Sequence, residues 1–339
     1  MNKVPKFLKE NWFGLLSVLL SFFILTLLII SGGINNFIVQ AKNIDVRFLI
    51  LAFVGIIFYC LFDTCVLFCL VKMRYKVCNF FSCLKACLIS LFYSAITPLS
   101  IGGQPMQVMY LNKKSDIKIG DASLFVIIKM LLYQIATIIY AIIGFFLSKN
   151  FMNKRITGMV FLGFFLNIIF VLSVIVICLK KEWAVKLVSC IIDLLSRIKI
   201  FGIKDKKAVL KKMTDQIDLF NASGRIIYQK KFDLVLIFLL NIIELTFYYL
   251  ISGFVFKSFG INYAIHEVIF MISLIYMTTS FVPIPGASGA TEGVFYIFFK
   301  SYFSRQTVLP IIFVWRLISY YFLILLGGLV IIFDMIKRD

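Results

Sequence analysis

The chain has 339 residues, of which 62% are apolar and 15% charged, and its mean hydropathy is +1.01. Soluble domains have about 45–50% apolar and about 25% charged residues, and their limited core volume cannot bury such an excess. The composition therefore excludes a single water-soluble domain and predicts a membrane protein. The chain has 35 Lys and Arg residues against 16 Asp and Glu residues, a formal net charge of +19. In a soluble protein that excess would suggest nucleic-acid binding, but the hydropathy argues against nucleic acid as a partner.

Six apolar runs are long enough to cross a hydrocarbon core of about 30 Å as helices. They lie near 12–31, 48–71, 122–148, 157–179, 233–256 and 308–334. Lys3, Lys6 and Lys9 precede the first run, as basic residues do in a signal peptide. That run is too long for a signal peptide and no small-residue cleavage site follows it, so we interpret it as the first span.

Two further apolar stretches, 80–112 and 266–304, are interrupted by proline and glycine. The first contains Pro98 and Pro105 around a pair of glycines, and the second contains Pro283 and Pro285 before a glycine-rich segment. Because proline removes a backbone donor and clashes with the preceding turn, a helix should end at each break. Each stretch therefore predicts two half-helices joined by a turn, forming a re-entrant hairpin. Such a backbone survives at membrane depth only when it is buried in protein or faces a wet cavity.

The distribution of Lys and Arg predicts the orientation of the chain. We expect the N-terminus, 72–85, 113–118, 180–232 and the C-terminus in the cytoplasm, and 32–47, 149–156 and 257–267 outside. The expected architecture is all-α and polytopic, a single integral domain over 1–339 in the cell membrane. It consists of a first half of about 1–179, a basic loop 180–232 and a second half 233–339.

The basic loop 180–232 has 13 Lys and Arg against five Asp and Glu. Apolar residues recur in it at helical spacing, with Leu187, Ile191 and Leu194 in the first series and Met213 and Ile217 in the second. Such helices typically lie in the membrane interface, so we expect contact with anionic lipid headgroups. A basic loop that only obeys the positive-inside rule, without a specific ligand, is the alternative.

The two halves show signs of an inverted repeat. The second span, first hairpin and third span correspond to the fifth span, second hairpin and sixth span, in opposite orientations. Lys129 follows Pro98 by 31 residues, and Arg316 follows Pro285 by the same 31 residues. Inverted repeats with broken helices are the recurrent plan of secondary transporters, which favours a transport function.

Four ionisable residues fall near the middle of predicted spans: Asp63, Lys129, Glu244 and Arg316. A charge at the centre of a membrane helix costs about 2.5–3.5 kcal/mol, so each group needs a partner or water. One interpretation is that they pair and hold helices together. The other is that they line a path for a charged headgroup, with the carboxylates attracting a cationic group and the cations holding a phosphate.

The turns of the two hairpins are the second set of candidate substrate-binding residues. Their accessible backbone N–H groups and the adjoining helix N-termini favour anions. The candidates are Thr97, Pro98, Gly102, Gly103 and Gln104 in the first turn, and Pro285, Gly286, Gly289 and Glu292 in the second. A plain helix break is the alternative for either turn taken alone.

Neither a metal site nor a cofactor site is predicted. Six of the eight cysteines fall between Cys60 and Cys87, but no two form a C-x-x-C pair, and the single histidine, His266, is distant. We interpret these cysteines as helix-packing residues. One histidine cannot supply a catalytic triad, and no phosphate-binding glycine motif is present, so we predict no catalytic residues.

The two turns resemble the signatures of a known family. They read Thr97-Pro98-x-x-x-Gly102-Gly103-Gln104-Pro105 and Pro283-x-Pro285-Gly286-x-x-Gly289-x-x-Glu292-Gly293. The pair is similar to the lysylphosphatidylglycerol synthetase transmembrane family, the membrane half of the multiple peptide resistance factor, over essentially the whole chain. Ala287 departs from the pattern, because a second glycine is common there.

The resemblance implies a flippase-type membrane domain. In two-part relatives, a soluble domain transfers lysine from lysyl-tRNA to phosphatidylglycerol, and the membrane domain moves the product outward. We expect only the membrane part here, with a polar or aminoacylated phospholipid such as lysyl-phosphatidylglycerol as substrate. The alternatives are a phosphatidylglycerol lysyltransferase, the activity that the family name implies, and a membrane scaffold for a soluble synthase. A soluble synthase or a second copy of the chain is a possible partner.

Overall fold

The computed structural model of the chain describes residues 34–76, 78–148, 152, 154–197, 206–261, 264–300 and 302–336, together with Phe23, Thr26 and Ile30. Within these residues all regular secondary structure is helical, which confirms the expected all-α class. Apart from those three positions, the run 12–31 that we expect to form the first span lies outside the described residues.

Thirteen helices make up the described part of the chain. They are α1 Ile34–Lys42, α2 Val46–Lys72, α3 Phe80–Ile96, α4 Gly103–Ser115, α5 Ile119–Ser148, α6 Lys154–Leu179, α7 Lys181–Arg197, α8 Lys206–Gln229, α9 Lys231–Ser258, α10 Ile265–Thr279, α11 Ala290–Phe299, α12 Arg305–Arg316 and α13 Phe322–Ile336. A π-helical segment, Leu317–Tyr321, joins α12 to α13.

Five helical segments among the described residues are long and apolar enough to cross a membrane: α2, α5, α6, α9 and the continuous run Arg305–Ile336. They match five of the six expected spans. Only 22% of the most apolar window of α6 is buried, whereas 56% of that of α2 is buried. The higher burial of α2 places it at the centre of the helices. The exposed faces of the outer helices carry large apolar side chains such as Phe161, Leu162 and Phe165, as in a membrane protein.

The two stretches interrupted by proline are broken helices. Helices α3 and α4 are separated by a short turn at Pro98–Ser100, and α10 and α11 by a similar turn at Pro285–Ala287. The breaks therefore fall where the prolines predict them. The re-entrance of these hairpins into the bilayer stays a prediction.

The helices pack in a pattern that agrees with the expected inverted repeat. Helix α2 packs along α9, its counterpart in the other half, and the two short turns touch each other. Helix α10 packs against α5, and α3 packs against α13. In the repeat, α3 corresponds to α10, and α5 corresponds to the α12–α13 run. The α10–α5 contact and the α3–α13 contact are therefore equivalent, as a two-fold relationship between the halves requires.

Both amphipathic helices expected in the basic loop are present, as α7 and α8. Helix α8 docks on the start of α5 through Asp121, a fully buried carboxylate. Asp121 pairs with Arg74 Nε at 3.2 Å and accepts hydrogen bonds from Tyr75 Oη, at 2.5 Å, and from the Ser223 hydroxyl. Burial, together with the bond to Asp121, raises the pKa of Tyr75, so the phenol remains a donor at neutral pH. This polar attachment to the protein was not expected from the sequence.

Candidate functional site

The first turn is closed by Thr97. Its hydroxyl donates to the carbonyl oxygen of Tyr93 at 2.6 Å and accepts from the N–H of Gly102 at 2.9 Å. The following Gly103 lies so close to α3 that a Cβ atom there would be 2.6 Å from the carbonyl oxygen of Ser90. The glycine therefore allows α4 to begin directly against the end of α3.

Gln104 belongs to this same turn. With its amide nitrogen facing the turn, it lies 3.1 Å from the carbonyl oxygen of Ser100 and 3.3 Å from that of Ile101. Leu99 and Ser100 have left-handed φ values of 54° and 56°, which are costly for residues with a Cβ atom. Gln104 thus supports the strained turn; its expected contact with substrate stays a prediction.

The second turn begins at Pro285 and also runs through left-handed backbone. Gly286 has φ 58°, and a Cβ atom at this position would lie 2.3 Å from the ring of Tyr320. Ala287 has φ 48° and Gly289 has φ 84°. The left-handed backbone explains why glycine suits the position that Ala287 occupies here.

A buried ion pair lies against the second turn. Arg316 Nε is 2.7 Å from Glu292 Oε1, and the other oxygen of Glu292 accepts from the N–H of Gly289 at 2.6 Å. The guanidinium carbon is 5.0 Å from the ring centre of Tyr320 and 5.3 Å from that of Trp315. Arg316 is 2% exposed and Glu292 4% exposed. Both oxygens of this carboxylate therefore have donors, and the pair is electrically neutral.

A second buried ion pair joins α2 to α5. Lys129 Nζ is 2.6 Å from Asp63 Oδ1, and it also donates to the Sγ atom of Cys87 on α3 at 3.4 Å. The same sulfur accepts from Gln107 Nε2 on α4 at 3.3 Å. Cys87 therefore links the first broken helix to the ion pair. Treating the cysteines as mere packing residues missed this role.

Glu244 on α9 is fully buried, and neither of its carboxylate oxygens has a hydrogen-bond partner. The Tyr248 ring, four residues along α9 from Glu244, lies 4.7 Å from the ring of Tyr59, four residues along α2 from Asp63. Because α2 and α9 pack along each other there, Glu244 faces the Asp63–Lys129 pair. Three of the four predicted intramembrane charges thus form one cluster: Asp63, Lys129 and Glu244. We call it the acidic cluster, because it holds two carboxyl groups and one cation.

Aromatic side chains fill the space between the acidic cluster and Arg316. The Tyr276 hydroxyl donates to that of Tyr248 at 2.9 Å, and the Tyr248 ring lies 4.7 Å from the ring of Tyr59. On the other side, the Tyr276 ring centre is 5.9 Å from that of Trp315. These rings connect the two charged groups across the seam between α2, α9, α10 and α12.

The sequence-predicted residues therefore gather at two charged centres and one turn–turn contact. Asp63, Lys129 and Glu244 lie together. Glu292 and Arg316 lie with Gly286 and Gly289. The remaining candidates, Thr97, Pro98, Gly102, Gly103, Gln104 and Pro285, belong to the turns that touch each other.

The five charged side chains are closed off from solvent. The most exposed of them, Lys129, is 9% exposed. A ligand could therefore reach them only after the helices move. In the part of the chain that the structure describes, no three His, Cys, Asp or Glu side chains could together hold a metal ion.

A cavity of about 260 Å³ lies apart from these centres, at the ends of α3 and α4 that are remote from their turn. Its polar lining includes Lys85, whose Nζ is 2.6 Å from Asp334 Oδ1, and Tyr110, whose hydroxyl donates to Asp334 Oδ2 at 2.8 Å. The sequence-predicted site residues are absent from its lining.

Comparison with known proteins agrees with this architecture. The chain is 21% identical over 272 residues to a UPF0104 membrane protein of Archaeoglobus fulgidus, an alignment that covers 78% of this chain and 79% of the relative. The model of the lysylphosphatidylglycerol synthase TM region matches residues 14–327. The match includes both turns and the five charged side chains of the two centres. The chain therefore belongs to the family defined by the transmembrane region of lysylphosphatidylglycerol synthases.

Proposed function

We propose that this protein moves a phospholipid with a charged headgroup between the two leaflets, with lysyl-phosphatidylglycerol as the expected substrate. The observation that carries the proposal is the presence of charges of both signs, buried in two centres beside two broken helices. Intramembrane charges are expensive, and transport is their usual purpose. Membership of the family supports the lipid substrate.

The chemistry of the two centres suits such a headgroup. Lysyl-phosphatidylglycerol carries a phosphate and ammonium groups. The planar guanidinium of Arg316 can contact two phosphate oxygens, and Lys129 supplies a point charge. The carboxylates of Asp63 and Glu292 complement the ammonium groups. Exchanging an internal ion pair for a pair with substrate keeps each buried charge compensated, which limits the cost of the exchange.

Transport then requires the buried centres to open alternately to each side. The two turns belong to different halves and touch each other. Separation of the two turns would expose the Arg316–Glu292 pair together with the N–H groups of the turns. Rocking of one repeat against the other is the recurrent mechanism of inverted-repeat transporters. We propose that both termini and the basic helices α7 and α8 lie on the cytoplasmic side, where anionic lipid headgroups attract them.

The test is reconstitution of the purified chain into liposomes that contain fluorescent phosphatidylglycerol or fluorescent lysyl-phosphatidylglycerol. Dithionite destroys the label in the outer leaflet only, so continued loss of signal reports lipid movement. We expect loss to continue faster than in protein-free liposomes. No acceleration for either lipid would contradict the proposal.

A second arm tests transferase activity, which the family description suggests. The same preparation is incubated with labelled lysyl-tRNA and phosphatidylglycerol, and the lipid fraction is counted. We expect no labelled lipid from this chain. Labelled lipid would instead favour a phosphatidylglycerol lysyltransferase.

A further inference from the structure

Among the charged side chains of the two centres, Glu244 is the one that the proposed exchange of ion pairs leaves unused. It is fully enclosed by protein, and its two oxygens have no hydrogen-bond partner. A buried carboxylate without a donor or a cation of its own is strongly unfavourable. Glu244 therefore needs either a neighbouring cation or a proton of its own.

The charge balance of the acidic cluster shows why Glu244 needs a cation or a proton. Asp63 is 2.6 Å from Lys129, which compensates one negative charge. Glu244 adds a second carboxyl group from the face of α9 that packs on α2 beside Asp63, so a fully ionised cluster would carry one uncompensated negative charge. By contrast, Glu292 and Arg316 form a one-to-one pair in which both carboxylate oxygens have donors.

The neighbouring groups do not supply the second cation. The titratable groups that face the cluster are Tyr59 and Cys60 from α2, Cys87 from α3, Tyr133 from α5, and Tyr248 and Tyr249 from α9. From α10 and α12, Tyr276 and Arg316 face Tyr248, and Arg316 already pairs with Glu292. Phenols and thiols buried in this way remain neutral, so among the described groups Lys129 is the cation that acts on the cluster.

Two neighbouring carboxyl groups repel each other when both are ionised, so a proton on one of them is favourable. Two carboxylates can only accept hydrogen bonds, which is why Glu244 lacks a partner when both groups are ionised. A proton on Glu244 turns its hydroxyl into a donor to the Asp63 carboxylate. That single proton removes the excess charge and satisfies the unpartnered side chain.

We infer that Asp63 and Glu244 form a proton-binding site, and that its proton exchanges for the ammonium group of the lipid. The inference rests on the proposed transport function and adds its coupling ion. An ammonium group binds best to two ionised carboxylates, so lipid binding and proton binding compete. No covalent bond changes: one proton leaves Glu244 as one cationic group arrives.

The position of the site lets this exchange control how firmly α2 and α9 are held together. Asp63 lies on α2 and Glu244 on α9, the helix pair that packs across the seam between the halves. When Glu244 is protonated, its hydrogen bond holds these helices together and Lys129 remains with Asp63. When Glu244 is ionised without a cation, the two carboxylates repel each other, and the seam is loosened.

Infrared spectroscopy of the purified full chain, with the spectrum of each variant subtracted from that of the wild type, tests the shared proton directly. We expect the carbonyl band of a protonated carboxyl group at neutral pH in the wild type, and its loss in Glu244→Gln. The exposed acid Glu182 provides the control, because Glu182→Gln should leave the band unchanged. Absence of the band from a folded wild-type protein would overturn the inference whether or not the protein transports lipid.

Proteoliposomes with a pH gradient test the coupling. For one proton exchanged per lipid, we expect a gradient of one pH unit to shift the leaflet ratio of lysyl-phosphatidylglycerol about tenfold toward the acidic side. Glu244→Gln should slow lipid movement, and any movement that remains should ignore the gradient, whereas Glu182→Gln should follow it. Wild-type transport that is indifferent to the gradient would overturn the coupling and leave the transport function standing.

Discussion

The hydroxyl of Tyr320 donates to the carbonyl oxygen of Ala95 at 2.9 Å. This bond joins the π-helical segment after Arg316 to the last turn of α3, the first half-helix of the other repeat. The Tyr320 ring also contacts Arg316 and packs against Gly286. One side chain therefore connects a buried charge, the second turn and the opposite half of the molecule.

Tyr320→Phe removes that bond and keeps the ring. We expect the free energy of unfolding to fall by about 1 kcal/mol, because a buried carbonyl loses its donor. Thermal unfolding in detergent measures the change. Tyr296→Phe is the matched control, since it removes a hydroxyl from a half-buried ring in α11. Equal melting of the two variants would contradict the role assigned to the bond.

The Glu292–Arg316 pair predicts strong non-additivity. Glu292→Gln alone leaves a buried guanidinium uncompensated, which should cost about 3–5 kcal/mol of unfolding free energy. Adding Arg316→Gln removes the orphaned charge, so the double variant should recover much of that loss. A double-mutant cycle of thermal unfolding measures the coupling. Additive losses would show that the two side chains do not depend on each other.

The second turn predicts opposite effects at adjacent positions. Ala287→Gly relieves a left-handed residue and should stabilise the protein by up to about 1 kcal/mol. Gly286→Ala should be strongly destabilising, because the added methyl group would meet the Tyr320 ring at 2.3 Å. Melting temperatures of both variants check this. A lower melting temperature for Ala287→Gly would contradict backbone strain at this position.

Asp121 predicts how α8 is held. Asp121→Asn weakens the ion pair with Arg74 and the hydrogen bonds from Tyr75 and Ser223, so α8 should detach from the start of α5. Hydrogen exchange should accelerate in 206–229 and stay unchanged in α9. The exposed Asp215 on the same helix gives the control, Asp215→Asn. Unchanged exchange in the Asp121 variant would show that other contacts hold α8.

Much of the fold follows from elementary patterns in the sequence. Apolar run length predicts α2, α5, α6, α9 and the α12–α13 run, and Pro98 and Pro285 predict the breaks in the two shorter stretches. The equal offsets of Lys129 and Arg316 from those prolines suggest a repeat, and the packing agrees. Such patterns are visible because they depend on local covalent geometry and on the cost of exposing polar backbone to lipid.

The partners of the buried charges could not be predicted in the same way. Lys129 pairs with Asp63, but Arg316 pairs with Glu292 rather than with Glu244, because the second turn brings α11 against α12. That choice depends on packing between helices that are distant in sequence. Gln107 and Cys87 were missed for the same reason.

One local signal for the aromatic seam was available. A tyrosine lies four residues from each of the four predicted intramembrane charges: Tyr59 from Asp63, Tyr133 from Lys129, Tyr248 from Glu244 and Tyr320 from Arg316. Residues four apart share a helix face, so each charge has a polar aromatic neighbour one turn away. Such phenols can solvate a buried charge without adding one of their own.

A transport role for the buried charges is tested most directly by comparing wild type with the Glu292→Gln, Arg316→Gln double variant in the dithionite assay with lysyl-phosphatidylglycerol. Both proteins must be reconstituted at equal density and shown to be folded. We predict that the wild type accelerates lipid movement and that the folded double variant falls to the rate of protein-free liposomes. Wild-type rates in the double variant would contradict the account.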